Sequence, residues 1–273
     1  ITSDKTMQNT EAPSSPTAES YLSRMKKSGS FAVRQGAQPI PVNPTGLQLG
    51  HVQEMAIGQL EGETFPHPKP DDHDFMEPGE IILENVILKQ ESQQEETIAF
   101  TRAGPRERVH FKGKDTRIAI VTCGGLCPGL NTVIQGIVMD AHLEYDVPVG
   151  NVFGIRGGFR GFTDPDLLPP VVLTPKMVED IHNLGGTYLG SNRGGMDKEK
   201  IIDKMAELKL DMLYCIGGDG THAAANLLAE EANKRKLKIS VVGIPKTIDN
   251  DVLIIDRSFG FETAVQEAVK AVK

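Results

Sequence analysis

The chain has 273 residues, of which 39% are hydrophobic and 24% are charged, and its formal net charge is −8 at pH 7. This length and apolar content predict a folded protein of one or two domains with a substantial core. The acidic balance argues against a nucleic-acid or anionic-membrane partner, and no apolar run approaches the roughly 18 residues of a membrane helix, so we predict a soluble protein.

Three cysteines, Cys123, Cys127 and Cys215, cannot all be paired, and a reducing compartment is therefore expected. Cys123 and Cys127 form a C-x3-C pair. No second pair and no His stands at a zinc-like spacing, so this pattern does not predict a metal site.

Residues 1–110 hold ten of the seventeen prolines, separated by Ser, Thr, Gln and Gly. We predict an N-terminal extension of low order that is partly disordered. Residues 17–34 resemble the remains of a transit peptide, but the acidic residues near them favour an ordinary solvated tail. Within the extension, residues 80–89, E-I-I-L-E-N-V-I-L-K, are dense enough in branched apolar side chains to predict a strand.

From residue 117 onwards, apolar runs alternate with glycine turns and helical patterns. Residues 118–123, I-A-I-V-T-C, are typical of a strand buried on both faces of a parallel sheet. The turn G-G-L-C-P-G-L-N and a predicted helix over 132–144 follow. Because this order directs backbone N–H groups toward an anion, the loop is a phosphate-binding candidate. It matches neither the dinucleotide fingerprint nor the P-loop, and a tight turn closing a βα unit is the alternative.

The next predicted elements are a strand and two capped helices. The strand, at 151–155, leads into the glycine-rich segment R-G-G-F-R-G-F. Thr174 followed by proline is typical of a helix start, and we predict a helix that continues to residue 183. The second helix, over 198–209, is predicted to begin at a cap formed by Asp197.

Between these helices lies a second glycine loop, G-G-T-Y-L-G-S-N-R-G-G, at 185–195. Arg193 in this flexible frame can donate two hydrogen bonds to phosphate oxygens. For one arginine taken alone, a solvated loop charge is the simpler interpretation.

The third glycine turn, G-G-D-G-T at 217–221, follows a predicted strand at 211–216 and precedes a predicted helix over 222–236. Asp219 places a carboxylate at the carboxyl end of a strand, where open α/β sheets bind ligands. A carboxylate lies comfortably beside a polyphosphate only with a cation between them, and Mg²⁺ prefers one or two carboxylates plus phosphate oxygens. His222 is interpreted as a helix N-terminal or exposed residue and not as a catalytic base.

The last motif, P-K-T-I-D-N-D at 245–251, comes directly after a predicted buried strand. In an extended segment, Thr247, Asp249 and Asp251 would point to the same side and present one hydroxyl and two carboxylates together. The alternative is an Asx-type turn, in which Asp249 and Asn250 satisfy their own backbone. The neighbouring glycine loops favour the first interpretation.

A strand at 238–244 and a helix at 261–273 complete the alternation. We therefore predict an α/β fold over residues 111–273, with a doubly wound, mostly parallel sheet and helices on both faces. The chain begins at Ile1 without an initiator Met and ends inside a predicted helix, so we interpret both ends as cuts.

Four motifs resemble, in order and spacing, those of the 6-phosphofructokinase family, and above all those of its plant, algal and protist ATP-dependent branch: T-C-G-G-L-C-P-G-L-N (122–131), G-G-T-Y-L-G-S-N-R (185–193), G-G-D-G-T (217–221) and P-K-T-I-D-N-D (245–251). The resemblance covers residues 108–273, about the N-terminal half of the family's catalytic unit. It implies a phosphofructokinase-like nucleotide-binding domain that is incomplete at its C-terminus.

The resemblance implies transfer of the γ-phosphoryl group of ATP to the 1-hydroxyl of fructose 6-phosphate, a step of glycolysis, with Mg²⁺ as cofactor. By the same resemblance, Asp249 would be the general base, Thr247 and Asp251 would orient the sugar, and Asp219 would hold Mg²⁺. Nucleotide contacts are carried over to five residues: Gly125, Arg193, Gly218, Gly220 and Thr221.

Two residues bear on the phosphoryl donor. In the family, an aspartate at the position of Gly220 accompanies the use of pyrophosphate, because it would crowd and repel the α-phosphate of a nucleotide. Gly220 therefore favours ATP. Lys246 favours pyrophosphate, although lysine also occurs there in the plant and protist ATP branch. We expect ATP, with a pyrophosphate-dependent enzyme as the alternative.

Some positions depart from the family pattern. His222 and the three alanines after it stand where a longer polar residue and a glycine usually approach the nucleotide, so the adenosine contacts are in doubt. Gln135 stands where bacterial enzymes carry an effector-binding arginine. The second half of the catalytic unit, which supplies most sugar 6-phosphate contacts, is missing, so this chain is predicted not to be fully active alone.

Other function classes share parts of this pattern. NAD kinases and lipid kinases also use a G-G-D-G-T turn, but they are not expected to carry T-I-D-N-D or the upstream glycine loop. A non-catalytic nucleotide-binding or regulatory subunit is a further alternative, and the retained Asp219, Asp249, Asp251 and Arg193 argue against it. We expect a homo-oligomer, dimer or tetramer, when full length, and a cytoplasmic or, alternatively, plastid location.

Overall fold

The structure is a computed structural model that describes residues 52–55, 62–72, 74–77, 79–83, 97–252 and 255–273. Its strands are β1 (Val52–Met55), β2 (Phe65–Pro66), β3 (Ile81–Leu83), β4 (Thr97–Thr101), β5 (Arg108–Val109), β6 (Ile118–Thr122), β7 (Val152–Ile155), β8 (Val171–Val172), β9 (Met212–Gly217) and β10 (Ser240–Pro245). Its helices are α1 (Leu130–Leu143), α2 (Arg160–Thr163), α3 (Pro175–Val178), α4 (Lys198–Glu207), α5 (Asp219–Lys234) and α6 (Phe261–Val272). Short 3-10 turns lie at Pro70–Asp72, Gly113–Asp115 and Ile181–Asn183.

The main sheet has five strands in the order β8-β7-β6-β9-β10. All neighbouring strands are parallel except β7 and β8, which are antiparallel. Within this sheet, the first strand in sequence is the central strand β6. The next two strands, β7 and β8, lie on one side of it, and the last two, β9 and β10, lie on the other side. This is the doubly wound order, and the mostly parallel α/β fold predicted from the sequence is confirmed.

Strand β6 divides the core between the two faces of the sheet, and all five of its residues are buried. Ala119 and Val121 pack into one cluster with side chains of α4 and α5, whereas Ile120 packs into another with α1. Fully buried aliphatic side chains of this kind each contribute about 1.5–3 kcal/mol to folding. The two clusters confirm that helices cover both faces.

The helix predicted to continue to residue 183 is broken. Thr174 caps α3 as expected, since its Oγ1 accepts a hydrogen bond from the backbone N–H of Met177 at 3.3 Å. The break follows from a long-range contact, because the side-chain amide of Gln135 donates to the carbonyls of Val178 and Glu179 at 2.9 and 2.6 Å. Those are carbonyls that the next helical turn would use, so the chain continues as a 3-10 turn instead.

Helix α4 begins as predicted, with the Asp197 carboxylate accepting from the backbone N–H of Lys200 at 3.2 Å. It ends earlier than predicted, at Glu207, and Lys209 then takes a left-handed conformation with φ 53°. Strand β10, which the sequence suggested was buried, lies at the edge of the described sheet, and Val242 and Gly243 on it are exposed.

Part of the N-terminal extension packs on the domain. β2 pairs with β5, and β4 pairs with both β1 and β3. His67 is 4% exposed, and its Nε2 lies 3.2 Å from the hydroxyl of Tyr145, just after α1. The predicted strand at 80–89 is present as β3, but residues 84–89 lie outside the described residues, as do residues 1–51. Among the helices that are described, none has both the length and the apolarity needed to cross a membrane.

Candidate functional site

The sheet changes its winding direction between β6 and β9, and each of these strands ends in a glycine turn. Residues 124–129 follow β6, and residues 217–221 run from the last residue of β9 into the first turn of α5. The backbone N–H of Cys123 donates to the carbonyl of Ile216 at 2.9 Å, which holds the two strand ends side by side. At such a switch point the following helices diverge and leave a crevice at the carboxyl edge. The structure therefore brings together two of the motifs identified in the sequence.

The first turn uses glycine where the backbone requires it. Gly124 and Gly129 have φ values of 81° and 89°, in the left-handed region, and Gly129 caps the start of α1 without a side chain. Gly125 is exposed, and a Cβ atom placed on it would have no neighbour within 4 Å. The backbone of this turn is thus open to a ligand above the N-terminus of α1, where helices attract anions.

The second glycine loop, residues 185–195, is held against the first turn by hydroxyl groups. The buried Thr122 donates from Oγ1 to the carbonyl of Gly190 at 2.7 Å. Ser191 donates from Oγ to the carbonyl of Gly124 at 2.6 Å. These side chains fix the position of one loop relative to the other.

Asn131 makes a further connection between the same two loops. Its side chain is 3% exposed, donates from Nδ2 to the carbonyl of Leu184 at 3.0 Å, and accepts at Oδ1 from the N–H of Tyr188 at 2.6 Å. Thr122, Ser191 and Asn131 are not among the site residues predicted from the sequence. Their sequence context could have identified them, because they are polar residues within apolar or glycine-rich motifs. A polar side chain that is buried in such a motif must find hydrogen-bond partners.

Arg193 lies exposed in this loop, before Gly194 and Gly195 with φ values of 91° and 77°. Its backbone N–H donates to the side chain of Asn192 at 2.7 Å. Within the described part of the chain, its guanidinium forms no ion pair or hydrogen bond. The group is therefore free to pair with an anion.

The third turn opens α5 three residues earlier than predicted. Gly218 is the N-cap, and Asp219 is the first residue of the helix, with an exposed side chain. A Cβ atom on Gly217 would overlap the side chain of Thr221, which is 7% exposed and packs beneath the turn. Gly220 is exposed, with open space where a side chain would stand. We call residues 124–129, 185–195 and 217–221 the glycine half of the site.

The segment after β10 is bent, so the predicted extended alternation is wrong. Bends occur at Ile248 and Asp249, and Asn250 is left-handed with φ 54°. Thr247 and Asp251 still meet, because the Thr247 hydroxyl donates to Oδ1 of Asp251 at 2.5 Å. The same hydroxyl accepts from the backbone N–H of Asp249 at 3.1 Å. The Asp249 carboxylate remains exposed to solvent.

The Asx-turn alternative does not describe this segment either. The Asn250 amide bonds to distant backbone groups, donating to the carbonyl of Asp256 at 3.0 Å and accepting from the N–H of Ser258 at 2.7 Å. Ser258 in turn donates to the carbonyl of Thr247 at 3.0 Å. The bend is therefore stabilised by the chain that follows it. We call residues 246–251 the carboxylate half of the site.

Backbone and thiol contacts join the two halves. The N–H of Lys246 donates to the carbonyl of Gly217 at 3.0 Å, and the Cys127 thiol donates to the carbonyl of Thr247 at 3.8 Å. Burial raises the pKa of the Cys123 thiol to about 11 and also raises the pKa of Cys127, while the nearby Lys246 ammonium acts in the opposite direction. Lys246 is 8% exposed and has no ion-pair partner among the described residues, so it is a buried positive charge at the strand ends.

His222 lies in the first turn of α5, as expected, and its side chain is partly buried. Nε2 is buried, and a Cβ atom on Gly243 would come within 2.5 Å of the ring. The described residues contain no cluster of three or more His, Cys, Asp or Glu that could hold a metal ion. A cation here would instead depend on the exposed Asp219 and on oxygens from a bound ligand, which is the mixture that Mg²⁺ prefers.

Comparison with known proteins agrees with this geometry. The chain is 44% identical over 246 residues to ATP-dependent 6-phosphofructokinase 7 of Arabidopsis thaliana, covering 88% of this chain and 49% of that protein. It is 46% identical over 239 residues to ATP-dependent 6-phosphofructokinase 4, chloroplastic, of the same plant, covering 85% of this chain and 44% of that protein. The chain thus spans about half the length of the curated relatives it matches.

A crystal structure of a pyrophosphate-dependent phosphofructokinase from Marinobacter aquaeolei is similar in fold, with a TM-score of 0.50 and 21% identity over 57% of this chain and 42% of that one. Residues 117–273 match the profile of the family described as Phosphofructokinase. Because this match extends over more than half of the sequence, the chain belongs to the phosphofructokinase family.

Proposed function

We propose that this chain carries the nucleotide-binding and carboxylate-bearing part of an ATP-dependent 6-phosphofructokinase. The full-length protein would transfer the γ-phosphoryl group of ATP to the 1-hydroxyl of fructose 6-phosphate and yield fructose 1,6-bisphosphate and ADP. The observation that carries the proposal is the convergence of three glycine segments and one acidic segment on the switch point of the sheet. The names of the relatives support the same reaction.

The glycine half is assigned to the phosphates of ATP. Gly125 lets the backbone approach the phosphate chain, and Gly218 and Gly220 form the second wall of the crevice at the start of α5, with Thr221 packed beneath them. Arg193, exposed and unpaired within the described chain, can bridge phosphate oxygens through its planar fork of donors.

Asp219 is assigned to Mg²⁺. Its exposed carboxylate at the first position of α5 lies where a phosphate chain would enter, and a single protein carboxylate suffices for an ion that keeps phosphate oxygens and waters as its other ligands. When bound, Mg²⁺ would supply positive charge against the developing charge of the phosphoryl group.

The carboxylate half is assigned to the sugar. Asp249, exposed and uncommitted to any ion pair within the described chain, would accept the proton of the 1-hydroxyl as its oxygen bonds to the γ-phosphorus and the bond to the ADP oxygen breaks. Thr247 and Asp251, joined at 2.5 Å, would fix the orientation of the sugar. Phosphoryl transfer requires this kind of in-line positioning more than covalent help.

ATP is the proposed donor. The space beside Gly220 is open, so an α-phosphate meets neither bulk nor negative charge there. Lys246 supports either donor, because a buried cation attracts the terminal phosphate of ATP and of pyrophosphate alike. Pyrophosphate therefore remains the second candidate, because Lys246 does not discriminate against it.

The assembly and the compartment complete the proposal. We propose that the full-length protein is a homo-oligomer, dimer or tetramer, whose further chain and neighbouring subunit supply the remaining sugar-phosphate contacts. A cytoplasmic location is proposed, with the plastid as alternative, since one of the two plant relatives is named chloroplastic.

The test is a titration of the chain with MgATP and, separately, with Mg-pyrophosphate, following the melting temperature. A ligand that binds the native state and not the unfolded state raises the melting temperature, because it stabilises the native state by RT ln(1 + [L]/Kd). We expect MgATP to stabilise the chain and Asp219→Ala to abolish the shift, with Asp115→Ala, at the opposite edge of the sheet, as the matched control. Stabilisation by Mg-pyrophosphate alone would reverse the donor assignment, and no response to either would refute the proposed function.

A further inference from the structure

Ser258 is a buried polar residue that donates two hydrogen bonds to the carboxylate half. Its side chain is 6% exposed. The hydroxyl donates to the carbonyl of Thr247 at 3.0 Å, and the backbone N–H donates to Oδ1 of Asn250 at 2.7 Å. A buried hydroxyl destabilises the fold unless it has a partner, and here the partner is a backbone carbonyl of the site. Ser258 therefore holds the segment on both sides of Asp249.

Asn250 makes the reciprocal contact. Its backbone is left-handed, with φ 54°, a conformation that asparagine tolerates better than most residues. Its Nδ2 donates to the carbonyl of Asp256 at 3.0 Å, while its Oδ1 accepts from the backbone N–H of Ser258. Both ends of the side-chain amide thus bind backbone groups of residues 256–258. We call Asn250 and residues 256–258 the bracket.

The bracket holds the backbone around Asp249 and leaves the carboxylate of that residue exposed. Within the part of the chain that the structure describes, this carboxylate forms no ion pair, and the backbone N–H of Asp249 donates to Oγ1 of Thr247 at 3.1 Å. The direction in which the Asp249 side chain leaves the backbone is therefore set by the anchored residues on either side. One anchor is the carbonyl of Thr247, and the other is the amide of Asn250.

The chain that follows the bracket contacts the first glycine turn. The carbonyl oxygen of Phe259, the residue after Ser258, lies 3.1 Å from Sγ of Cys127. At the next residue, Gly260, a Cβ atom would overlap the carbonyl oxygen of Pro128, so the two backbones are in close contact. Cys127 and Pro128 belong to the turn that is proposed to approach the phosphates. One short segment thus contacts both halves of the site.

We propose that Ser258 is a positioning residue for phosphoryl transfer. Through the bracket it fixes the backbone that carries Asp249 relative to the first glycine turn, and so it fixes the proposed base relative to the phosphates of the donor. This role rests on the proposed function of the two halves. Ser258 is buried and acts through Asp249 without touching either substrate. Alignment matters strongly in such a reaction, since a misplacement of about 1 Å can lower the rate about 10²-fold.

Two substitutions test the hydroxyl of Ser258. Ser258→Ala removes it and keeps the backbone bond to Asn250, whereas Ser258→Thr keeps the hydroxyl. In the full-length enzyme, Ser258→Ala should lower kcat about tenfold, and Ser258→Thr should stay within about threefold of the wild type. The Kd for MgATP, measured by calorimetric titration, should stay within about twofold in both variants. Ser240→Ala, at the other end of β10, is the matched control and should change neither quantity.

A double substitution separates positioning from packing. If the hydroxyl acts through the proposed base, Ser258→Ala should lower kcat in the wild-type enzyme and have little further effect in the Asp249→Asn background, where no base is left to position. A hydroxyl that only stabilises the fold would lower kcat by the same factor in both backgrounds. That result would overturn the role.

Asn250→Gly is the second variant, because glycine adopts the left-handed backbone easily and only the side-chain amide is lost. It should lower kcat about as much as Ser258→Ala does. Combining the two should lower kcat little further, since both act on the same bracket. Independent losses, whose factors multiply in the double variant, would contradict the proposal. If Ser258→Ala does not fold, Asn250→Gly carries the same test in the Asp249→Asn background.

Failure of the role and failure of the proposed function give different results in these assays. If the full-length wild type phosphorylates fructose 6-phosphate from MgATP and Ser258→Ala has the same kcat, the positioning role is overturned and the proposed function stands. If the full-length wild type has no such activity, the proposed function fails and the role falls with it. If Asp249→Asn alone leaves kcat unchanged, there is no base for Ser258 to position, and the role is again overturned.

Discussion

The two halves of the candidate site are held in different ways. In the glycine half, buried side chains bind the loops to one another, with Thr122 and Asn131 at 1% and 3% exposure. In the carboxylate half, Thr247 bonds to the exposed Asp251 and to the backbone of Asp249, at the edge of the sheet. Buried contacts therefore hold the glycine half, whereas exposed contacts hold Thr247, Asp249 and Asp251 of the carboxylate half.

This difference matches what each half is proposed to do. A phosphate cradle made of backbone N–H groups cannot be reoriented without refolding its loops, so it is pre-organised by the core. Carboxylates on a bent surface segment can change position at little cost in folding free energy. We therefore expect mutations of the buried side chains that hold the glycine half, such as Thr122 and Asn131, to act on stability, whereas mutations in the carboxylate half act on turnover.

The largest expected effect is in the carboxylate half. In the full-length enzyme, Asp249→Asn should lower kcat by about 10²- to 10⁴-fold, or roughly 3–5 kcal/mol, because it removes the proposed base. MgATP affinity should be nearly unchanged, since the carboxylate is assigned to the sugar. Steady-state kinetics and nucleotide titration measure both quantities. Asp256→Asn, a few residues away, is the control, and an unchanged kcat in Asp249→Asn would remove the residue from the mechanism.

The largest effect on stability is expected at Gly260, where the chain that follows the carboxylate half packs against the first glycine turn. Gly260 has φ 82°, and a Cβ atom there would overlap the carbonyl oxygen of Pro128. Gly260→Ala should lower the free energy of unfolding by about 2–4 kcal/mol, from left-handed strain plus the displaced backbone. Denaturant unfolding measures it. Gly136→Ala, inside α1 with no neighbour within 4 Å, should instead gain about 0.5–1 kcal/mol, and equal losses at both sites would contradict the geometry.

A smaller change tests the glycine half directly. Thr122→Val keeps the shape of the side chain but removes the hydroxyl that donates to Gly190, and should cost about 1–2 kcal/mol of folding free energy because the site is buried. Thr163→Val is the matched control, since its hydroxyl donates only to the carbonyl of Arg160 at 3.2 Å, in an exposed hydrogen bond within α2. If both substitutions cost the same, the glycine half is not built into the core as described.

The glycine half was the more predictable from sequence. Its strands are continuous apolar runs and its turns contain glycines such as Gly124 and Gly129, whose φ values only glycine adopts easily. Both features are local, so they can be recognised directly in the sequence. The loops meet because parallel strands place their carboxyl ends at one edge of the sheet.

What the sequence did not reveal depends on contacts between distant residues. Gln135 reaches the carbonyls of Val178 and Glu179 and ends a helix that local signals would continue. Asn250 bonds to Asp256 and bends a segment that alternation alone predicts to be extended. In each case the hydrogen bonds of a side-chain amide interrupt a regular helix or extended segment. The hydrophobic periodicity of the sequence gives no sign of such a contact.

The smallest effect on stability is expected for Thr247, the threonine of the carboxylate half, which can be compared with Thr122 of the glycine half. Thr247→Val should change the free energy of unfolding by less than about 0.5 kcal/mol, because its bond to Asp251 is exposed and water can replace it. In the full-length enzyme the same change should lower kcat/KM for fructose 6-phosphate about tenfold, since the two residues are proposed to orient the sugar. Thr247→Ser, which keeps the hydroxyl, should restore it. A threonine hydroxyl would then contribute to folding stability in the glycine half and to turnover in the carboxylate half. If Thr247→Val is as destabilising as Thr122→Val, the two halves are held in the same way and the proposed difference between them is wrong.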